Sequence, residues 1–318
     1  MLYPILALIA GLALLVWSAD QFVNGAAATA RNFGMSPLLI GLTIVSFGTS
    51  APEILVSAMA SAAGAGSLAV GNAVGSNIAN IAMVLGITAL IAPLPVKSNV
   101  IRREIPLLIA VTVFAGILLL DLNLALVDSL LLLAALFGSL YLFQRFQRTA
   151  GDDCAGEEEE EELPDMPTGK AIITLFVGLT LLVFASRMLV WGATEIATAL
   201  GVSELVIGLT IVAIGTSLPE LAASIASALK GHHDIAIGAV VGSNIFNIAA
   251  VMAMPGLIDP ISLDTVVLSR DYAIMLMFTV LLAVFALWQK PRTISRFEGG
   301  ILASGYAGYM ALLYTMNV

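Results

Sequence analysis

One sequence pattern occurs twice in this 318-residue chain, in residues 41–53 and again 167 residues later in residues 208–220. Both copies read Gly-Leu-Thr-Ile-Val-x-x-Gly-Thr-Ser-x-Pro-Glu, and when the five residues before each copy are included, 13 of 18 positions are identical. A second block, in residues 71–81 and 238–248, keeps the same offset. Each half of the chain therefore carries both blocks, which predicts a fold built from two related halves.

The repeated motifs lie inside long apolar segments, which indicates that they belong in a lipid bilayer. Only 11% of the residues are charged, against about 25% in an average soluble domain. The apolar runs are continuous rather than alternating, which excludes a transmembrane β-barrel. Since a helix needs about 20 apolar residues to span, the sequence predicts an all-α membrane protein of ten transmembrane helices, near residues 2–30, 36–62, 69–92, 104–121, 124–146, 169–199, 203–229, 235–258, 268–289 and 296–315.

The distribution of lysine and arginine predicts the orientation of these helices. With the N-terminus outside, 11 of the 13 basic residues fall in the inside connections, as expected for loops that stay in the cytoplasm. We therefore expect both termini outside and an acidic cytosolic linker, residues 147–168, between an N-terminal five-helix repeat (1–146) and a C-terminal one (169–318). Five spans per half is an odd number, so the two repeats are predicted to have inverted topology.

The repeated motif also predicts that the second and seventh helices are broken. Pro52 and Pro219 each remove a main-chain donor in the middle of a span, close to Gly48 and Gly215. Unwinding at these points frees main-chain oxygens inside the membrane. Broken helices at matching positions of two halves are typical of the ion and substrate sites of transporters.

Both halves supply candidate oxygen ligands in these helices. Glu53 and Glu220 are carboxylates deep in predicted spans, where an uncompensated charge costs about 2.5–3.5 kcal/mol, and no lysine or arginine lies in the motif spans to pair with them. Carboxylate, hydroxyl, amide and carbonyl oxygens suit hard cations such as calcium. Helix packing explains buried hydroxyls equally well, but not unpaired carboxylates. The candidate ligands are Glu53, Glu220, Thr49, Ser50, Thr216, Ser217, Ser76, Asn80, Ser243 and Asn247, with the main-chain oxygens of Ser46 and Ala213.

These motifs resemble those of a known family. The chain is similar, over essentially its whole length, to the prokaryotic sodium/calcium exchangers of the cation/calcium exchanger superfamily. The resemblance implies that the ligands given above hold the transported ions, and that the first and sixth helices slide to gate access. Some relatives have aspartate at the position of Asn247, which is associated with potassium coupling, so the asparagine disfavours potassium dependence.

The expected function is electrogenic sodium/calcium antiport by alternating access, because the resemblance implies that more than two sodium ions move for each calcium. Proton-coupled antiport of calcium or another divalent cation on the same fold remains the alternative, since a glutamate can exchange a proton for a metal. An intramembrane enzyme would use paired aspartates, which the motif spans lack, and a channel fits broken inverted repeats less well. We expect no enzymatic activity and no covalent cofactor.

The expected partners are sodium ions, calcium ions and the lipid bilayer, with no nucleic acid, for a monomer in the cytoplasmic membrane. Two further polar features are predicted to be structural. Arg187 occupies the repeat position of Asp20, and we expect it to lie along a cavity wall or to pair with an acid of another helix. Asn77 and Asn244, which lie off the ligand face, are expected to cap or pack.

Overall fold

A computed structural model describes residues 2–153, 164–201, 213–288 and 292–317. Within these ranges the ordered elements are helices, apart from four strands of two residues each, which confirms the predicted all-α class. The helices are α1 Leu2–Phe33, α2 Pro37–Ala62, α3 Gly66–Ile91, α4 Val100–Asp121, α5 Leu126–Asp153, α6 Thr168–Ala199, α7 Ala213–Thr216, α8 Leu218–Leu229, α9 His233–Ile258, α10 Val267–Trp288 and α11 Arg296–Asn317. The strands are β1 Leu94–Pro95, β2 Asn123–Leu124, β3 Ile261–Ser262 and β4 Thr293–Ile294.

Eight of these helices, counted over the described ranges, are long and apolar enough to cross a membrane: α1 to α6, α9 and α10. The seventh predicted span begins in residues 202–212, outside those ranges, and continues as α7 and α8. Helix α11 covers the tenth predicted span with 22 residues but is not one of the eight. Helix α5 runs to Asp153, into the predicted linker, whose glutamate run lies outside the described residues. The count of ten spans stays a prediction.

The two longest helices, α1 and α6, pack against each other along their length. Gly11 of α1 lies against Leu189, whereas Phe22 lies against Gly178, so the partner moves backwards along α6 as the chain advances along α1. The two helices are therefore antiparallel. A Cβ atom on Gly178 would lie 2.5 Å from the main-chain nitrogen of Phe22. Glycine at this position thus allows the two main chains to approach closely.

Helices α3 and α9 form the centre of the bundle. An apolar 18-residue stretch of α9 is buried throughout, and 78% of the corresponding stretch of α3 is buried. Helix α2 lies parallel to α9, with Leu38 against Gly238 and Ser46 against Gly242. Helix α8 packs on both α9 and α3. Helices α2, α3, α8 and α9 therefore meet in the interior, and they carry most of the candidate ligands.

The short strands join the two halves at both ends of the bundle. Strands β1 and β2 precede and follow α4, and β3 and β4 precede and follow α10. Strand β1 pairs antiparallel with β4, and β2 pairs antiparallel with β3. The start of α4 therefore lies beside the end of α10, so these repeat-equivalent helices are antiparallel, as α1 and α6 are.

Wide π-type turns recur at the offset of the sequence repeat. Helices α4 and α10 begin with such turns, at Val100–Glu104 and Val267–Tyr272, and α3 and α9 contain them at Ala79–Leu85 and Asn247–Val251. A π-turn adds a residue to the helical turn and is frequent at functional sites. In α3 and α9 the turns begin at, or one residue before, the candidate ligands Asn80 and Asn247.

Candidate functional site

The candidate ligands come together from both halves. All of those whose side chains the structure describes are buried, except Thr216, which is half-buried. The two carboxylates are shielded from solvent almost completely, with exposed fractions of 2% for Glu53 and 4% for Glu220. Helix α2 carries Ser46, Thr49, Ser50 and Glu53, α3 carries Ser76 and Asn80, α7 and α8 with their junction carry Thr216, Ser217 and Glu220, and α9 carries Ser243 and Asn247. Ala213 is the first residue of α7, and its side chain lies outside the described set.

The motif proline breaks the helix in only one of the two repeats. Helix α7 ends at Thr216 and α8 begins at Leu218, with Ser217 as a non-helical joint, so the predicted break of the seventh helix is found. Helix α2 stays helical through Pro52, so the predicted break of the second helix is wrong. A proline removes one helical hydrogen bond, and α2 accommodates that loss without leaving the helical conformation.

Thr49 connects the two halves at the centre of the site. Its Oγ1 lies 3.4 Å from the Oγ of Ser243 on α9. Thr49 and Glu53 both lie close to the carboxyl group of Glu220 on α8. The two motif glutamates and a hydroxyl from each half therefore occupy one locus, as the repeat predicts.

Asn72 is a functional candidate outside the predicted ligand set. Its Nδ2 donates to the main-chain oxygen of Glu53 at 3.3 Å and to the Oγ of Ser57 at 3.1 Å. These bonds hold α3 against α2 at the level of the carboxylate. The signal was present in the sequence, because Asn72 lies four residues before Ser76 and eight before Asn80, on the same helical face.

Several buried polar atoms of the site have no hydrogen-bond partner. An unsatisfied buried group costs about 1–3 kcal/mol, so a cluster of them indicates a site for a ligand. Neither glutamate forms an ion pair with a described lysine or arginine, and no three His, Cys, Asp or Glu side chains converge among the described residues. The unpartnered atoms are the Oγ of Ser50, one carboxylate oxygen each of Glu53 and Glu220, the side-chain amide of Asn80 and the Oδ1 of Asn247.

This donor set fits a hard cation. Two carboxylates neutralise a divalent charge, and hydroxyl, amide and main-chain oxygens complete a set of six to eight ligands of the kind that calcium takes. The absence of a converging thiol or imidazole group from the described part of the site disfavours softer transition metals. The arrangement can therefore bind cations, and its ligands come from both halves.

A cavity of about 250 Å³ reaches the site beside Glu53. Helix α6 forms one wall, with Ser186 and Arg187, and Thr216 faces them from α7. Ser186 donates a 2.7 Å hydrogen bond to the main-chain oxygen of Gly215, which the proline four residues later leaves without its helical donor. Arg187 is expected either to lie along a cavity wall or to pair with an acid of another helix, and it lies along the cavity wall.

The two asparagines that lie off the ligand face contact each other across the repeat. The Nδ2 of Asn77 donates to the main-chain oxygen of Asn244 at 3.2 Å, and both residues are buried. Asn77 and Asn244 are repeat equivalents, since 167 residues separate them. This contact joins α3 to α9 and agrees with the predicted packing role.

Comparisons with known proteins agree with this geometry. The profile of a family described as sodium/calcium exchanger protein matches residues 3–144 and 170–315. Inner membrane protein YrbG of Escherichia coli (strain K12) is 42% identical over 322 residues, covering 100% of this chain and 98% of the relative. Sodium/calcium exchanger MaX1 of Methanosarcina acetivorans is 30% identical over 346 residues, covering 97% and 98%. A solved structure of the sodium-calcium exchanger NCX_Mj superposes with a TM-score of 0.84 at 32% identity, covering 98% of each chain.

Proposed function

This chain belongs to the sodium/calcium exchanger protein family, and from that premise we propose that it exchanges sodium for calcium across the cytoplasmic membrane by alternating access. The observation that carries the proposal is the pair of buried glutamates, Glu53 and Glu220, one from each half, with unpartnered oxygens. Relatives support the two ions and the membrane, since MaX1 is named a sodium/calcium exchanger and YrbG an inner membrane protein.

The antiparallel packing of equivalent helices supports inverted topology and alternating access. Helices α1 and α6 are antiparallel, and so are α4 and α10. With ten spans, the repeats then cross the membrane in opposite senses and share a site near its midplane. We propose that ions reach the site from one side of the membrane through the cavity beside Glu53. When each half takes the conformation that the other half had, the site opens to the opposite side.

Calcium flux driven by a sodium gradient tests the proposal directly. We expect proteoliposomes loaded with sodium to accumulate calcium-45 when they are diluted into sodium-free buffer, with the pH clamped on both sides. A tenfold sodium gradient supplies about 1.4 kcal/mol for each sodium ion that moves, so two sodium ions for each calcium would concentrate calcium about 100-fold in the absence of a membrane potential. Uptake that needs a pH gradient and ignores sodium would instead favour the proton-coupled alternative.

The proposed orientation is tested by labelling introduced cysteines. In a background in which Cys154, the only cysteine of the sequence, is replaced by serine, Thr168→Cys should be protected from a membrane-impermeant maleimide in intact cells, whereas Thr265→Cys should react. Thr168 is the first residue of α6 and Thr265 lies two residues before α10, and both are exposed, so their reactivity depends on which side of the membrane they face. The control is labelling after permeabilisation, when both should react. Labelling of Thr168→Cys in intact cells contradicts the orientation.

A further inference from the structure

Arg187 is a charged residue in the central part of the spanning helix α6 that the ligand set leaves unexplained. It is exposed and lines the cavity that Glu53 also lines. It forms no ion pair or hydrogen bond with any residue that the structure describes. A charge in the central part of a span is costly to insert into a bilayer and by default marks a functional position.

The equivalent position in the first half has its charge balanced. Asp20 of α1 forms an ion pair of 2.6 Å with Lys230, whose Nζ also donates to the Oδ1 of Asn24 at 3.0 Å. The residue equivalent to Lys230 is Ala63, which carries no charge. The first half therefore neutralises its charge at this position, whereas Arg187 adds a positive charge to the cavity that no residue of the described ranges pairs with.

Ser186 fixes the position of the neighbouring Arg187 along the axis of α6 relative to the site. Its hydrogen bond to the main-chain oxygen of Gly215 ties α6 to α7 at the break in the motif, and Ser186 is 4% exposed, so water competes little for this bond. The equivalent residue of α1 is Ala19, which has no hydroxyl. The residue pair 186–187 thus differs from its counterpart in both hydrogen bonding and charge, on the wall that faces Glu53.

We propose that Arg187 determines ion selectivity: its guanidinium acts as a competing cation in the access cavity and weakens calcium binding more than sodium binding. This inference rests on the proposed function. Coulomb energy is proportional to the charge of the ion. If the charge of Arg187 raises the dissociation constant of sodium by a factor f, it therefore raises that of calcium by f squared. For a charge on the order of 10 Å away and an effective dielectric constant of about 40, the factor is about 4 for sodium and about 16 for calcium.

The test is equilibrium binding to purified protein. We measure the Kd for calcium-45 without sodium, and the sodium concentration that displaces half of a trace amount of calcium. Arg187→Gln and Arg187→Met should bind calcium about 16-fold more tightly and sodium about fourfold more tightly than the unchanged protein. Arg187→Lys should stay close to it. Lys170→Gln, the same change of charge at an exposed position near the start of α6, is the matched control and should shift neither constant.

Each outcome bears on one claim. An unchanged calcium Kd in both neutral variants overturns the proposed role of Arg187. A calcium Kd for Arg187→Lys equal to that of Arg187→Gln also overturns it, because lysine keeps the positive charge and the effect would then come from the shape of the arginine side chain. Equal shifts for both ions also contradict it. Two neutral variants are compared so that one that misfolds does not decide the result. Unchanged protein that neither binds nor transports calcium would count against the proposed function itself.

Discussion

Glu53→Gln or Glu220→Gln will abolish calcium transport while the protein still folds and inserts. Glutamine keeps the size of the side chain and one oxygen, but it halves the charge of a site in which the described residues place two carboxylates. At an effective dielectric constant of about 20, even two unit charges 4 Å apart attract by about 4 kcal/mol, which corresponds to about three orders of magnitude in affinity. We therefore expect the initial rate of sodium-driven calcium-45 uptake to fall by at least about 100-fold.

The matched control for this experiment is Glu195→Gln. Glu195 is an exposed glutamate near the end of the spanning helix α6. The same substitution there measures the effect of replacing a glutamate by glutamine outside the ligand cluster. Size-exclusion profiles and thermal unfolding in detergent should be similar for all three variants. Calcium flux near that of the unchanged protein in either Glu53→Gln or Glu220→Gln would remove the basis of the site assignment.

Membrane potential will drive calcium transport in one direction. Two ionised glutamates give the site a charge of −2, to which Asn80 and Asn247 add none, so one calcium ion or two sodium ions neutralise it. The twelve candidate ligand groups from both halves exceed the six to eight oxygen ligands that one calcium ion takes, and we propose that the surplus groups hold additional sodium. Each cycle then moves net positive charge with sodium.

The size of this effect follows from the charge moved. A potential of 100 mV is worth about 2.3 kcal/mol for each elementary charge, which corresponds to about a 50-fold change in the calcium gradient at equilibrium. With the potential clamped by potassium and valinomycin, an inside-negative potential should favour sodium entry and calcium exit. Protein-free vesicles and Glu53→Gln vesicles measure the leak. A calcium gradient that stays the same at every clamped potential would indicate an electroneutral cycle with two sodium ions or protons.

The repeated motif allowed much of the site to be predicted, because repetition identifies equivalent residues without a structure. Thr49, Glu53, Glu220 and Ser243 meet as the two copies require. Repetition predicts less where the halves differ. The same proline motif gives a broken helix at Ser217 and an unbroken one in α2, so the motif alone does not decide whether the helix breaks.

Contacts made by non-equivalent residues were also beyond prediction. Ser186 satisfies the main-chain oxygen of Gly215 from a different helix, and its counterpart Ala19 gives no hint of such a role. The two-residue strands are too short to leave a periodic pattern in the sequence, since alternation needs about four residues to be visible. Their pairing depends on the way in which the helices bring the connections together.

The two strand pairs join the halves of the chain by noncovalent contacts, in addition to the peptide link between them. Main-chain hydrogen bonds join the halves at both ends of the bundle, and the close contact of α1 with α6 joins them along its side. These contacts do not depend on the covalent link between the halves, so a link of any length that lets the halves meet would serve to keep them at a high effective concentration. The two sequence halves are thus held together by noncovalent contacts of the kind that join the subunits of an oligomer.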